Sequence, residues 1–84
     1  MDRADVYKLI DGEREYQIER HLNHKIPHRD EDHSIADWIV YIEEHIAKAK
    51  THIYWLNFDS AMAEMRKIVA LGVACMHYID APPR

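Results

Sequence analysis

The chain has 84 residues, with fifteen acidic and eleven basic side chains and a net charge of -4. A chain this short makes one domain and buries only about 60–65% of the surface its unfolded form exposes. Its charge lacks the basic excess that binding a DNA or RNA polymer requires.

Other broad classes also fall away. Cys75 is the single cysteine, so no intramolecular disulfide forms and a reducing compartment is expected. The opening Met1-Asp2-Arg3-Ala4-Asp5 carries no apolar run of the signal-peptide kind. No stretch is apolar for the length that crossing a bilayer needs. The expectation is one all-α domain over residues 1–84, cytoplasmic, with no membrane partner.

The first helix is predicted from Ala4 to Leu22. Val6, Leu9, Ile10, Tyr16 and Leu22 give it a loose apolar stripe, and Gly12 weakens it by about 1 kcal/mol relative to alanine, marking a point for a kink or a close contact. A flexible polar loop follows over 23–33, where Pro27 stops helical continuation and Asp30-Glu31-Asp32 is acidic. The second helix starts at Ser34, whose hydroxyl can cap it with Asp37 as reciprocal partner. Ile35, Ile39, Ile42, Ile46, Ala49, Ile53 and Leu56 then alternate spacings of four and three, a heptad seam that Trp38 and Trp55 widen. The third helix begins near Asn57 or Asp59, either a fitting cap. Phe58, Met62, Met65, Val69, Gly72, Met76 and Ile79 form a second such seam, and the tail 80–84 ends the helix at Pro82 and Pro83.

The second and third helices are therefore expected to form an antiparallel hairpin with the two seams facing each other. From Ile68 to Ile79 the third helix carries no formal charge if His77 is neutral. A helix that is apolar all round is buried all round, and two neighbours in a three-helix monomer leave part of it uncovered. Assembly into a helical-bundle homo-oligomer through Ile68, Val69, Gly72, Val73, Cys75 and Met76 is the expected remedy, with small Ala70, Gly72 and Ala74 permitting close approach.

No strong metal or catalytic motif is present. His21 and His24 share a helix face and His28 and His33 follow, but zinc needs three or four ligands in fixed geometry, and these read as solvated. His45 and His52 lie near the seam of the second helix, and His77 inside the apolar block needs a hydrogen-bond partner. Asp11, Glu15 and Glu19 form an acidic stripe that reads as a solvated face. No catalytic residue, metal or cofactor is expected.

Phosphate recognition is better represented. Arg66 and Lys67 stand at the mouth of the apolar block, and Glu13, Arg14, Tyr16, Gln17 and Arg20 mix carboxylate, guanidinium, phenol and amide groups on the first helix. Arginine grips phosphate bidentately. Arg14, Arg20, Arg66, Lys67 and Arg84 are the candidates for phosphate, Tyr16 or Tyr7 for stacking on a base, and Gln17 or Glu13 for reading its edge. Subunit symmetry would gather them in an intersubunit pocket.

The runs Val6-Tyr7-Lys8-Leu9-Ile10-Asp11-Gly12-Glu13-Arg14-Glu15-Tyr16-Gln17 and Arg66-Lys67-Ile68-Val69-Ala70-Leu71-Gly72-Val73-Ala74-Cys75-Met76, with the close Ala81-Pro82-Pro83-Arg84, resemble a group of small bacteriophage proteins loosely called MazG-like. MazG-type nucleotide pyrophosphohydrolases carry EExxE and ExxD motifs whose carboxylates hold Mg²⁺. Here the first reads Glu43-Glu44-His45-Ile46-Ala47 and the second Glu64-Met65-Arg66-Lys67. Alanine and lysine stand where two anions are required, which leaves Mg²⁺-dependent hydrolysis through Glu43, Glu44, Glu64 and the acidic face of the first helix as the lesser expectation. The phage setting implies instead a non-enzymatic sponge that holds a host immune nucleotide in an infected cell. A helical protein-interaction module is the third reading.

Overall fold

The computed structural model describes residues 1–23 and 29–84. The part of the expected polar loop at 24–28, including His24, Pro27 and His28, lies outside the described residues. Those described form three helices, α1 (Arg3–Asn23), α2 (Ile35–Tyr54) and α3 (Phe58–Tyr78), with a short 3-10 turn at Asp30–Asp32 and no strand among them.

Local chemistry sets the helix ends. Asp2 caps α1, its Oδ1 accepting from the Asp5 amide at 2.8 Å. The helix continues unbroken through Gly12, where an added Cβ would meet nothing within 4 Å. Ser34 and Asp37 form the expected reciprocal box at the start of α2, with Ser34 Oγ accepting from the Asp37 amide at 3.2 Å and Asp37 Oδ2 from the Ser34 amide at 2.9 Å. Asn57 caps α3, its Oδ1 accepting from the Ser60 amide at 3.2 Å.

Between α2 and α3 the chain turns in three residues. The Leu56 amide donates to Ile53 O at 3.0 Å and the Asn57 amide to His52 O at 2.8 Å, the paired bonds of a Schellman stop. That motif needs a left-handed residue, and Leu56 supplies it with φ 58 where glycine would ordinarily stand. Leu56→Gly is expected to raise stability by about 0.5–1 kcal/mol, relief of left-handed strain outweighing the added chain entropy. Thermal melting followed by circular dichroism checks this, with a rise of about 4–8 °C per kcal/mol for a domain of this size.

The hairpin is antiparallel, as Trp38 meets Tyr78 and His45 meets Glu64. α1 packs on α3 but has no Cα within 8 Å of α2, so α3 is the central helix. Its partners differ in kind. Lys67 O accepts from Gln17 on α1 at 3.5 Å, whereas Glu64 faces α2. Ala70 and Ala74 are fully buried, and their small side chains let neighbouring helices approach closely. With Ile10 and Trp38 they are the buried apolar residues of the described chain.

The expectation that the two seams face each other is corrected by this packing. In α2, Trp38 and His45 turn toward α3, and the seam residues Ile39, Ile46 and Ile53 stand about 100° further round the helix. In α3, Glu64 faces α2 while Met62, Met65 and Val69 are rotated in the same sense. Most of both seams is consequently exposed, with Ile39 at 48%, Ile46 at 39%, Met62 at 66%, Met65 at 48% and Val69 at 41%, while Ile42, Ala49, Gly72 and Ile79 are half-buried. Burying the Trp38 indole, at 2% exposure the best-covered large side chain, and pairing Glu64 with His45 fix the rotation at the expense of the aliphatic stripes. Trp55, expected to widen the α2 seam, projects from the hairpin tip at 73% exposure.

Candidate functional site

Seven of the nine residues expected to hold a phosphorylated ligand divide between the two flanks of α1. On one flank, Glu13, Tyr16, Arg66 and Lys67 line an open groove of about 560 Å³ together with Lys8, Leu9 and Gly12. On the other, Arg14, Gln17 and Arg20 line a cleft of about 370 Å³ between α1 and α2, floored by Leu71. Tyr7 is exposed on α1 and Arg84 in the C-terminal tail. Neither lines the groove or the cleft.

The groove is built where α1 meets α3. Lys8, Gly12 and Tyr16 are spaced by four and share a face of α1. Glu13 sits one position round the helix, buried, and accepts from Arg66 Nε at 2.7 Å. Arg66 spends Nε on Glu13, and its terminal amino groups have no partner among the described residues. Lys67 Nζ lies 3.4 Å from Glu64 Oε1, a loose contact that leaves ammonium donors for a ligand. Three cations thus border the groove, with the one carboxylate lining it already engaged. Gly12 leaves backbone bare beside the Tyr16 ring, which is 57% exposed.

Beneath Lys67, Glu64 is buried and His45 Nδ1 lies 2.6 Å from its Oε2. Burial pushes this carboxyl up, but the hydrogen bond from His45 and the charges of Lys67 and His45 outweigh it and hold the group below its ordinary 4.5. Glu64 therefore stays ionised and anchors Lys67 at the groove edge.

The cleft has another character. Arg14 Nη2 is 2.6 Å from Asp30 Oδ2 and its Nη1 donates to Gln17 at 3.2 Å, so this guanidinium is committed to tying the 3-10 turn to α1. His33, Trp38 and Tyr41 form an edge-to-face cluster with centroids 5.2–6.1 Å apart. The Trp38 indole N–H has no hydrogen-bond partner among the described residues. Arg20, His33 and Asp37 make further interactions of their own. The cleft is thus an aromatic, internally paired surface, and the groove is the cationic one.

The residues tied to hydrolysis do not come together. Glu43 and Glu44 are exposed on α2 while Glu64 is buried against His45. Among the described residues no three His, Cys, Asp or Glu side chains form a group able to hold a metal ion. Of the histidines, His33 packs on Trp38 and Tyr41, and His77 stands edge-on to Tyr78 at 4.8 Å and is exposed rather than buried in the apolar block. No helix among the described residues is long and apolar enough to cross a membrane.

Sequence reading missed Lys8, Leu9 and Gly12 in the groove, and His21, Asp30, His33, Tyr41 and Leu71 in the cleft. The four-residue spacing of Lys8, Gly12 and Tyr16 was a usable signal for the first set. The second depends on packing between helices and left no periodic trace. No family model, no curated protein and no solved structure matches this chain.

Proposed function

We propose that the chain binds a phosphorylated, nucleotide-type ligand in the α1–α3 groove and releases it unchanged. The observation that carries this reading is the gathering of Lys8, Arg66 and Lys67 along one groove whose lining carboxylate, Glu13, is already satisfied by Arg66. Spare guanidinium and ammonium donors are the groups that hold phosphate oxygens. The exposed Tyr16 ring beside them offers a face for stacking on a base. A local cationic groove in a chain of net charge -4 favours a small anion over a nucleic-acid polymer, which needs an extended basic surface.

The resemblance to small bacteriophage proteins supports placing this activity in an infected host cell, as sequestration of a nucleotide immune signal. Isothermal calorimetry against a panel of cyclic and linear nucleotides tests the proposal. Binding at micromolar protein concentration is expected, weakening as salt rises. Arg66→Gln with Lys67→Gln is expected to weaken it by about tenfold or more, at about 1.4 kcal/mol per factor of ten. Chromatography of ligand recovered by heat release should return the nucleotide intact. Absence of binding across the panel, or recovery of a hydrolysed product, would overturn the reading.

A further inference from the structure

We infer that the exposed face of the α2–α3 hairpin is closed by the same face of a second copy of this chain, forming a four-helix bundle. The helices are antiparallel, and on each the apolar seam is rotated in the same sense away from the intramolecular contact. Two antiparallel helices turned this way carry their stripes to the same side of the pair. Ile39, Ile46 and Ile53 on α2 thus lie beside Met62, Met65 and Val69 on α3, in one apolar face. α1 covers the other arc of α3, through Gln17 and Glu13.

Four observations select a second copy as the occupant. The four-three spacing on both helices is the pattern that packs knobs into holes against further helices, and the chain's own packing leaves most of it uncovered. The size fits: helices of 20 and 21 residues are about 30 Å long, and side by side at about 9 Å they present about 600 Å² before side-chain relief, near the roughly 800 Å² per partner of a stable interface. The charges fit as well. Glu43 and Lys50 border the α2 stripe on its outer edge, seven residues apart, three residues before and four after its centre at Ile46. Antiparallel copies of α2 related by a two-fold axis at Ile46 set Ile39 against the partner's Ile53 and Ile46 against itself, and bring Glu43 to within one residue of the partner's Lys50 twice. Finally, the described chain buries only Ile10, Trp38, Ala70 and Ala74 as apolar core. A fold this thin needs its cover from the moment of synthesis, and another copy of itself is the partner always present.

This assembly stands apart from the ligand reading, since its test involves no nucleotide. Light scattering and sedimentation equilibrium of the full chain are expected to return twice the 10.0 kDa chain mass, with a melting temperature that rises with protein concentration. Ile46→Glu and Met65→Glu, at surface positions of the single chain, are each expected to give a single-chain mass or concentration-dependent loss of helix. Glu43→Lys is expected to weaken association, and Glu43→Lys with Lys50→Glu to restore it. Glu15→Gln, away from the face, should leave the mass unchanged. A single-chain mass through the micromolar range with concentration-independent melting would overturn the inference and assign the face to a different protein. So would a dimer indifferent to both Ile46→Glu and Met65→Glu.

Discussion

Trp38→Ala is expected to cost about 3–5 kcal/mol, the usual penalty for emptying a buried aromatic position. That is a large share of the stability of a domain of this length, about 4–12 kcal/mol at the usual 0.05–0.15 kcal/mol per residue. Trp38 is the largest fully buried side chain. It stacks nearly parallel on Tyr78 at 6.3 Å and meets His33 and Tyr41 edge-on, so it joins both ends of the hairpin to the segment after the 3-10 turn. Alanine there leaves the apolar core to Ile10, Ala70 and Ala74. Urea unfolding followed by circular dichroism should show a lower midpoint with slope preserved, or an unfolded chain. Trp38→Phe separates packing from polarity. It keeps a ring against Tyr78 and removes an indole N–H that has no acceptor among the described residues, so the loss is expected to stay near 1 kcal/mol, well below that of alanine. An alanine variant as stable as the parent would contradict the packing described for α2.

The second large effect belongs to Glu64. Its carboxyl, buried between His45 and Lys67, titrates below the ordinary value of 4.5. Between the lowered value and the ordinary one the unfolded chain binds more protons than the folded chain, so stability falls as pH falls through this window. Above the ordinary value the contribution is complete. Thermal melting is therefore expected to hold steady down to mildly acidic pH and then drop. Glu64→Gln should flatten the drop and lower stability at neutral pH by about 1–3 kcal/mol, because a partly buried charged partner is removed while His45 and Lys67 stay in place. If parent and Glu64→Gln melted with the same dependence on pH, the carboxylate would not be the group that couples α2 to α3.

Much of the local structure was legible in the sequence. Ser34 with Asp37, and Asn57 before Phe58, marked the starts of α2 and α3 because capping is chemistry between near neighbours. The hairpin followed from the short link between two apolar helices. Its rotation did not follow. The strict four-three repeats of isoleucine and methionine state that a stripe will be covered, but not by which helix. The intramolecular contact went instead to Trp38, His45, Glu64 and a pair of alanines, a set with mixed polarity and no clean periodicity. Burial also divides the residues expected at an assembly surface. Val69, Val73 and Met76 are exposed, while Ile68, Gly72 and Cys75 are half-buried.

The candidate site was legible in composition and less so in geometry. Arg66 and Lys67 beside an aromatic first helix pointed to anion binding, and Glu13, Tyr16, Arg66 and Lys67 do share a groove. Arg14, Gln17 and Arg20 belong to the opposite flank of α1, a separation of residues adjacent in sequence that only the packing of α1 on α3 decides. The apolar block of α3 thus has two neighbours of different kind, the hairpin face on one arc and the cationic groove on another, with Arg66 at the border between them.

The most direct test of the account is amide-resolved NMR during titration with a nucleoside diphosphate. The groove predicts shifts concentrated at Lys8, Gly12, Tyr16, Arg66 and Lys67, with the Trp38 indole resonance unmoved. Shifts centred on Trp38, Tyr41 and His33, or spread along Ile39, Ile46 and Met65, would contradict it.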